Sequence, residues 1–474
     1  MRLPKRFAIS DSIRKHPTRL LSSLFLVFTA FGADTALDRY VKTPDPSYQW
    51  NAAGTSSVSG VSVSLLEMTS QTWRTAQEVD KPVWKHFIQI YRPANVKSNI
   101  ALLWIDGGNN RGNKPNPNPL MLKIAQDNGV IVAELRQIPS EPLSFLDETN
   151  RPRNEDGIIA YTWEKYLKGG DDQWPLRLPM TKAGVRAMDT VTAYLKSQAG
   201  GAIDVNRFIV GGASKRGWTT WTVAAVDPRV VAIAPMVIDL LNIVPNFMHH
   251  YRVYGFWAPA IQDYVDSRIP DWFNTKRFQS LMKIEEPFEY RDRLTMPKLL
   301  INSAGDDFFV PDSSQFYYSK LKGENHIRYM PNTRHSLEPA GVAQSLSAFV
   351  DSIVNQKSRP HLSWKIDRKN GAIAVKTVEQ PKEAKLWSIT NPKARDFRLT
   401  TTGPQWKSEK VSLVKGRYVA RVPKPGSGYT AFFVELSYEN GSPNPHTFTT
   451  EVSIVPNVYP FPTPKPGDGL APRN

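Results

Sequence analysis

A serine next to several small residues is the first candidate for chemistry in this sequence. Ser214 follows a short apolar segment at residues 207–210 and lies in the string GGASKRG, ahead of a helical pattern at residues 215–226. Small residues before the serine let a strand and a helix come close, so the turn holds the hydroxyl out beyond the strand. The start of the helix adds N–H groups that can stabilise a developing negative charge. This arrangement, the nucleophile elbow, predicts that Ser214 attacks a carbonyl carbon.

The string departs from the usual elbow pattern at one position. The second residue after Ser214 is Arg216, where glycine is common, and Gly217 comes one place later. A G-x-S-x-x-G string also occurs where a helix is capped by a serine with no role in chemistry. The residues that would assist Ser214 therefore decide between the two interpretations.

The partners of such a serine follow it along the chain, first an acid and then a histidine, each after a later strand. Asp307 follows the apolar segment at 298–302 and is the predicted acid, with its neighbour Asp306 as competitor. Asp239, after the segment at 230–236, is the alternative acid. Of the eight histidines, His335 combines this chain order with a position in a loop, which makes it the predicted general base.

Two backbone N–H groups are expected to stabilise the oxyanion. The first donor is Lys215, directly after the serine. The second belongs to the glycine-rich loop DGGNNRG at 106–112, which follows the strand predicted at 100–105, and is either Gly108 or Asn109. A plain glycine turn is the alternative interpretation of this loop.

The segments between these residues alternate between strand and helix patterns from residue 61 to residue 356. Such alternation predicts a mostly parallel sheet with helices on both faces. With the elbow serine, it predicts an α/β-hydrolase fold. The aromatic-rich insertion at 240–296 is predicted to be a lid, and a helical subdomain with its own core is the alternative.

The segments on either side of this region have different patterns. Residues 33–60 are rich in turn formers and are predicted to be an extended entry segment. Residues 358–455 alternate short strands with turns, which predicts an all-β sandwich of immunoglobulin or fibronectin type III type. Residues 456–474 are proline-rich and are predicted to be disordered.

The N-terminus predicts export to the periplasm or the outside of the cell. Six basic residues precede an apolar stretch at 20–33, and small residues at 30 and 32 favour cleavage after Gly32, so 1–32 is predicted to be a signal peptide. An uncleaved anchor is the alternative. Removing 1–32 takes away six positive charges and one negative charge, which lowers the formal net charge from +16 to +11.

The composition excludes some chemistry. The 474 residues include no cysteine, so there is no thiolate nucleophile, disulfide or iron–sulfur cluster. No metal or cofactor is predicted, because the loop carboxylates at 155–156 and 171–172 are interpreted as solvated. Lys215 and Arg216 are interpreted as helix-surface ion pairs, with binding of an acidic substrate group as the alternative.

Longer strings carry a family resemblance. The run GGASKRGWTTWTVAAVDPRVVAIAPMVIDLLN, with SAGDDFFVPDSS, PNTRHSL, NPKARDFRL and YTAFFVEL, resembles the PhoPQ-activated pathogenicity-related protein family. The resemblance covers nearly the whole chain after the leader. It implies an exported α/β-hydrolase-like protein with a β-rich C-terminal region and an association with virulence. By position, Ser214, Asp307 and His335 match the expected triad.

Three functions are expected from the sequence. The first is a serine hydrolase that cleaves an ester or amide bond of a small molecule or peptide. The second is an inactive hydrolase fold that serves as a secreted binding or signalling protein. The third, ranked lowest, is weak association of the basic protein with an anionic membrane surface. No nucleic-acid partner is expected.

Overall fold

The apolar segments predicted as strands pair into one mixed sheet. The computed structural model describes residues 34–148 and 151–467, so the predicted signal peptide at 1–32 lies outside the described residues. Within the described chain the strands of this sheet are β1 (Gln49–Val58), β2 (Val61–Thr72), β3 (Val83–Arg92), β4 (Ile100–Ile105), β5 (Ile131–Leu135), β6 (Arg207–Ala213), β7 (Val230–Met236), β8 (Lys298–Ser303) and β9 (Asn325–Met330).

The strand order places the candidate residues at one edge. The order is β1-β2-β3-β5-β4-β6-β7-β8-β9. The first three strands and the β3–β5 pair are antiparallel, whereas every neighbouring pair from β5 to β9 is parallel. Because parallel strands end at the same edge of a sheet, the loops after β4, β6, β7, β8 and β9 lie along that edge. The predicted α/β class with a mostly parallel sheet is confirmed.

Helices cover both faces of the sheet, so β4 and its neighbours are buried on both sides. Alternate residues of β4 belong to different cores: Leu103 and Ile105 to the core that includes α4 and α5, Leu102 and Trp104 to the core that includes α2 and α9. The helices up to residue 354 are α1 (Ala36–Lys42), α2 (Pro119–Asn128), α3 (Glu155–Leu167), α4 (Arg177–Lys196), α5 (Lys215–Val226), α6 (Ile243–Tyr254), α7 (Gln262–Asp266), α8 (Lys276–Glu285) and α9 (Pro339–Val354). Among the described residues no helix is long and apolar enough to cross a membrane.

The insertion at 240–296 is helical, and most of its buried aromatic residues belong to the same core as α4 and α5. It contains α6, α7 and α8 joined by short 3₁₀ helices. The ring of Phe273 lies 5.2 Å from that of Phe247 and 5.0 Å from that of Phe278, both in edge-to-face geometry. The insertion is therefore helical but shares the main core, unlike the subdomain with its own core expected as one alternative, and α6 also lines the cavity described below.

The chain after α9 forms two antiparallel sheets. One has the order β10-β11-β15-β14; the other has the order β13-β12-β16-β17, with β18 also pairing with β16. The elements are β10 (Leu362–Ile366), β11 (Ile373–Thr377), β12 (Glu383–Asn391), α10 (Leu399–Thr402), β13 (Lys407–Lys410), β14 (Leu413–Val414), β15 (Arg417–Ala420), β16 (Tyr429–Tyr438), β17 (His446–Thr449) and β18 (Ser453–Val455). An all-β region is thus present where it was predicted, and the immunoglobulin-type assignment stays a prediction.

This β region packs against the central sheet. The hydroxyl of Thr449 on β17 accepts a hydrogen bond of 3.0 Å from the backbone N–H of Tyr329 on β9. Val375 and Phe432 share a core with Phe349 on α9. The described residues from Thr35 onward consequently form one compact unit.

Two terminal segments differ from the predictions. Residues 34–60 are extended only in part, because Thr35 caps the helix α1, and the extended residues 49–58 are strand β1, paired with β2. The described part of the tail, up to residue 467, packs against α6 instead of being free. The hydroxyl of Tyr459 lies 2.9 Å from Nδ1 of His249, and the Arg252 guanidinium lies 3.6 Å from the centre of the tyrosine ring. Tyr459 supplies these contacts. The prediction of disorder rested on the proline content of the tail and did not take its aromatic residues into account.

Candidate active site

Ser214 lies at a sharp strand-to-helix turn. β6 ends at Ala213 and α5 begins at Lys215, and between them Ser214 has φ 58° and ψ −126°. A residue that has a side chain rarely adopts a positive φ, because this backbone conformation is strained. Backbone strain of this kind is typical of functional sites. The backbone N–H of Ser214 donates to the carbonyl of Met236 at 2.8 Å, which ties the turn to β7. The local geometry is that of a nucleophile elbow.

Two glycines make this turn possible. A Cβ on Gly212 would lie 2.8 Å from the carbonyl oxygen of Arg216 and 2.9 Å from that of Ile105. A Cβ on Gly217 would lie 2.9 Å from the carbonyl oxygen of Met236. The close approach that an elbow needs is therefore provided by Gly217, one place later than usual.

Arg216 at the irregular position of the motif has a structural partner. Its guanidinium donates to both carboxylate oxygens of Glu155, at 2.8 and 2.9 Å. It also crosses Gly107, where a Cβ would lie 2.6 Å from Nη2. Arg216 thus connects the elbow to the glycine-rich loop after β4 and to the N-terminus of α3. Glu155, interpreted as solvated, is 44 % exposed at its side chain and is paired as well.

His335 is held by a buried carboxylate, but not the predicted one. Its Nδ1 lies 2.9 and 3.1 Å from the two carboxylate oxygens of Asp306, a residue that is 2 % exposed. Asp307 instead accepts from Arg334 and Thr400 at 3.0 and 3.1 Å. The expected contact of Asp307 with the histidine is therefore corrected to Asp306. The physical reason is direction: Asp306 faces His335, whereas Asp307 faces Arg334 and Thr400.

The other ring nitrogen of His335 is unoccupied. A carboxylate only accepts, so Nδ1 carries the proton and Nε2 has the free lone pair of a base. Nε2 is buried and has no hydrogen-bond partner among the described residues, Ser214 included. The ring centre of Phe308 lies 4.3 Å from that of the imidazole and restricts its movement. The histidine is oriented as a base, and the hydrogen bond to the serine is not formed in this structure.

Asp239 has a different environment from that expected of an alternative acid. Its two carboxylate oxygens accept hydrogen bonds of 2.6 Å from the hydroxyls of Tyr317 and Tyr329. Burial raises the pKa of Asp239 to about 7, against the opposing effect of the two hydroxyls. Asp239 anchors the tyrosines beneath the sheet edge and has no contact with His335.

The loop after β4 is held in a fixed shape by its own charged residues. The backbone N–H of Gly107 donates to Asp106 at 2.7 Å, and Asp106 pairs with Arg136. Because the amide of Gly107 is used in this way, it cannot serve an oxyanion. Gly108 follows with φ +121°, a backbone geometry that glycine tolerates best. The amide of Gly108 therefore stays the candidate for the second oxyanion donor, beside the amide of Lys215.

A cavity opens beside the elbow. Its volume is about 40 Å³, and Ser214 and Lys215 form part of its wall. The aromatic residues of the wall are Trp163, Trp218, Phe247, Tyr264, Phe308 and Phe309. Asn246 and His250 of α6 also line it, as do Asp156 and Arg177 from the segment between β5 and α4 and the start of α4. The segment between β5 and α4 and the insertion at 240–296 therefore both contribute to the cavity. Trp218 of α5 is buried and also borders it.

The charges beside the serine are mostly paired. The ammonium of Lys215 contacts Glu155 and lies 3.1 Å from Asp156. Burial acts to raise the pKa of Glu155, but hydrogen bonds from Arg216 and the charge of Lys215 hold it well below its usual range. Burial and the charge of Glu155 raise the pKa of Glu141 to about 7. Lys215 is buried, so its interpretation as a helix-surface ion pair is wrong in location and correct in the pairing.

Sequence reasoning did not single out Arg177 or Asn246 as site residues. Both are buried and line the cavity, at 3 % and 2 % exposure. The sequence offers one signal that the segment around residue 155 meets the start of α5. Residues 155–156 are both acidic, and residues 215–216 are both basic. Within the described ranges no group of three or more histidine or carboxylate side chains is placed to hold a metal ion.

Comparison with known proteins gives the same family over most of the chain. The sequence model described as PhoPQ-activated pathogenicity-related protein matches residues 37–398. The chain is 37 % identical to autocrine proliferation repressor protein A of Dictyostelium discoideum, over 94 % of this chain and 95 % of that protein.

Solved structures with a similar fold include two esterases. An acetyl xylan esterase from Paenibacillus sp. R4 covers 68 % of this chain and 95 % of its own, with 15 % identity and a TM-score of 0.48. Acetyl xylan esterase 1 from Thermoanaerobacterium sp. JW/SL YS485 covers 66 % and 92 %, with 15 % identity and a TM-score of 0.44. From the match over residues 37–398 and the full-length relative, the chain belongs to the PhoPQ-activated pathogenicity-related protein family.

Proposed function

We propose that this protein is an exported serine hydrolase that cleaves an ester or amide bond of a small substrate. The observation that carries the proposal is the His335–Asp306 pair with a free Nε2, on the same sheet edge as an elbow serine. A buried carboxylate on one ring nitrogen and a free lone pair on the other is the arrangement a general base requires.

In the proposed reaction His335 takes the proton of Ser214 as Oγ forms a bond to the substrate carbonyl carbon. The carbonyl π electrons move to oxygen, and the N–H groups of Lys215 and Gly108 stabilise the resulting oxyanion. The intermediate collapses, the bond to the leaving group breaks, and His335 donates its proton to that group. Water, deprotonated by His335, then attacks the acyl carbon, the bond from that carbon to Oγ breaks, and His335 returns the proton to Ser214 as the acid is released. Asp306 stabilises the imidazolium in both halves.

The test is covalent labelling with a fluorophosphonate, which reacts with an activated serine. We expect the wild-type protein to be labelled and Ser214→Ala not to be. Ser313→Ala is the matched control, since this serine also lines the cavity but is not at an elbow, and it should be labelled. Absence of labelling in a folded wild-type sample would refute the proposal.

A second candidate is an exported signalling protein that does not use catalysis. Two observations favour it: Nε2 of His335 has no bond to Ser214, and the full-length relative is named for repression of proliferation. On this alternative, folded protein would resist the probe. Export and an association with virulence, which the leader and the family name imply, stay predictions. N-terminal sequencing of protein collected outside the cytoplasm tests the cut after Gly32.

A further inference from the structure

We propose that the cavity beside Ser214 binds substrates that carry a carboxylate, and that Arg177 is the group that receives it. This inference rests on the proposed hydrolase function and specifies its substrate class. Arg177 is the first residue of α4 and lines the cavity together with Ser214. Its proposed role is to bind the substrate, and it takes no part in making or breaking bonds.

Arg177 is a buried cation with a side-chain donor that no hydrogen bond uses. Its exposure is 3 %, and Nη1 donates to the carbonyl of Lys215 at 3.2 Å. Its Nε is buried and has no partner among the described residues. An unpaired buried N–H is costly, and a charged one more so, unless a ligand or solvent satisfies it. Arg177 lines the cavity, so an acceptor on a ligand that reaches its guanidinium would be bound with a gain in free energy.

The charge pattern favours an anion as that acceptor. Three cations, Arg177, Lys215 and Arg216, lie at the N-terminus of α5, which itself favours negative charge. Glu155 and Asp156 pair with the last two. In the described chain no carboxylate lies within ion-pair distance of Arg177. One cation at the cavity wall thus has no direct counter-ion.

One acidic group does face Arg177 from behind. Glu285 is fully buried, accepts a hydrogen bond from the indole of Trp163 and feels the charge of the guanidinium. Burial raises the pKa of Glu285 to about 7, so this side chain is partly protonated near neutrality and only partly offsets the positive charge. Room for a negative ligand remains on the cavity side.

Arg177 is also held in a geometry suited to a carboxylate. The guanidinium carbon lies 4.3 Å from the ring centre of Trp218, which leaves the edge of the guanidinium plane for hydrogen bonds. A guanidinium and a carboxylate are both planar, and two parallel N–H···O hydrogen bonds can form between them when they lie in one plane. The apolar walls between Ser214 and Arg177 suit a short hydrocarbon body. The substrate class is accordingly a small ester or amide with a carboxylate at a distance from the scissile bond.

The experiment is competition for fluorophosphonate labelling of Ser214. Hexanoate is the probe for the proposed carboxylate site, and hexanamide is its uncharged counterpart. Each protein is compared with its own labelling rate in the absence of competitor. We expect hexanoate to slow labelling of the wild-type protein and hexanamide to have a much weaker effect. In Arg177→Gln the hexanoate concentration for half protection should rise at least about tenfold, which corresponds to about 1.4 kcal/mol.

Two further variants guard against a folding defect. Arg177→Lys retains a cation and should stay protected within a few-fold of wild type. Arg277→Gln is a matched control, because Arg277 is a partly buried arginine that binds the backbone carbonyls of Tyr166 and Gly170 and does not line the cavity. It should be protected as wild type is, and thermal unfolding of all variants reports their folding.

The outcomes separate the inference from the proposed function. Labelling without selective protection by hexanoate, or equal protection of wild type and Arg177→Gln, overturns the carboxylate site and leaves the hydrolase standing. Absence of labelling in folded wild-type protein overturns both.

Discussion

Replacing each of two adjacent aspartates tests the reasoning about the active site most directly. Asp306→Asn and Asp307→Asn remove the same charge one residue apart, and only Asp306 contacts His335, at 2.9 and 3.1 Å. An amide N–H facing Nδ1 would reverse the tautomer of His335. An amide oxygen would keep the tautomer but lack the charge that stabilises the imidazolium. The structure therefore predicts very different losses for the two variants.

The magnitude follows from the two environments. Asp306 is 2 % exposed, and loss of the equivalent buried carboxylate in a serine triad lowers kcat by about 10⁴, or about 5.5 kcal/mol. Asp307 contacts an arginine whose side chain is 55 % exposed, and such pairs contribute at most about 1 kcal/mol. We expect Asp307→Asn to retain activity within about fivefold of wild type.

The assay is the second-order rate of fluorophosphonate labelling, with kcat/KM for p-nitrophenyl acetate as a second readout. Both are measured at constant temperature with unfolding curves for each variant. A loss in Asp307→Asn as large as that in Asp306→Asn would refute the assignment. A loss below tenfold in folded Asp306→Asn would show that the His335–Asp306 pair is not part of a triad.

Three further outcomes are expected. Gly212→Ala should lower the free energy of unfolding by roughly 1–3 kcal/mol in urea denaturation, because its Cβ would meet backbone oxygens of α5 and β4 below 3.0 Å. For His86, burial lowers the pKa to about 4 from the ordinary 6.5. The unfolded chain takes up this proton first, so stability should fall as pH decreases from 6.5 to 4, by about 3 kcal/mol for this group. His86→Gln should flatten that part of the stability curve. Tyr459→Ala removes a hydrogen bond and a cation–π contact from α6, which should speed amide hydrogen exchange in α6.

Each of these has a control and a contrary result. Gly426→Ala has open space around the added Cβ and should unfold as wild type does; a Gly212→Ala protein equal to it would contradict the close approach. An unchanged acid slope in His86→Gln would mean that this histidine is not neutral in the folded state. Val458→Ala, at an exposed side chain next to Tyr459, should leave exchange in α6 unchanged, and equal exchange in Tyr459→Ala would argue against a docked tail.

Chain order was sufficient to find Ser214 and His335. The serine is recognisable because small residues on both sides are a local steric requirement of the turn, and this requirement is written in consecutive positions. The histidine is recognisable because parallel strands bring their following loops to one edge. Both arguments need only the local residue pattern and the order of the strands, and both can be taken from the sequence.

The choice between Asp306 and Asp307 needed the structure. The two have the same side chain in the same loop, and only the backbone path after β8 decides which one faces inward. The same holds for Lys215 and Arg216. Their partner Glu155 is some sixty residues away in an insertion whose course over the sheet no periodicity predicts.

The sequence alone specifies the α/β class, the elbow motif, the absence of thiol chemistry and the chain order of the proposed triad. These depend on short-range sterics, on hydrophobic periodicity and on composition. Only the tertiary structure decided which carboxylate holds His335, that the described part of the tail docks on α6, and that Arg177 is left without a counter-ion in the cavity wall. Those outcomes depend on the direction of single side chains and on contacts between distant segments. They are fixed when the chain packs, because packing determines which charges are paired and which donors remain free.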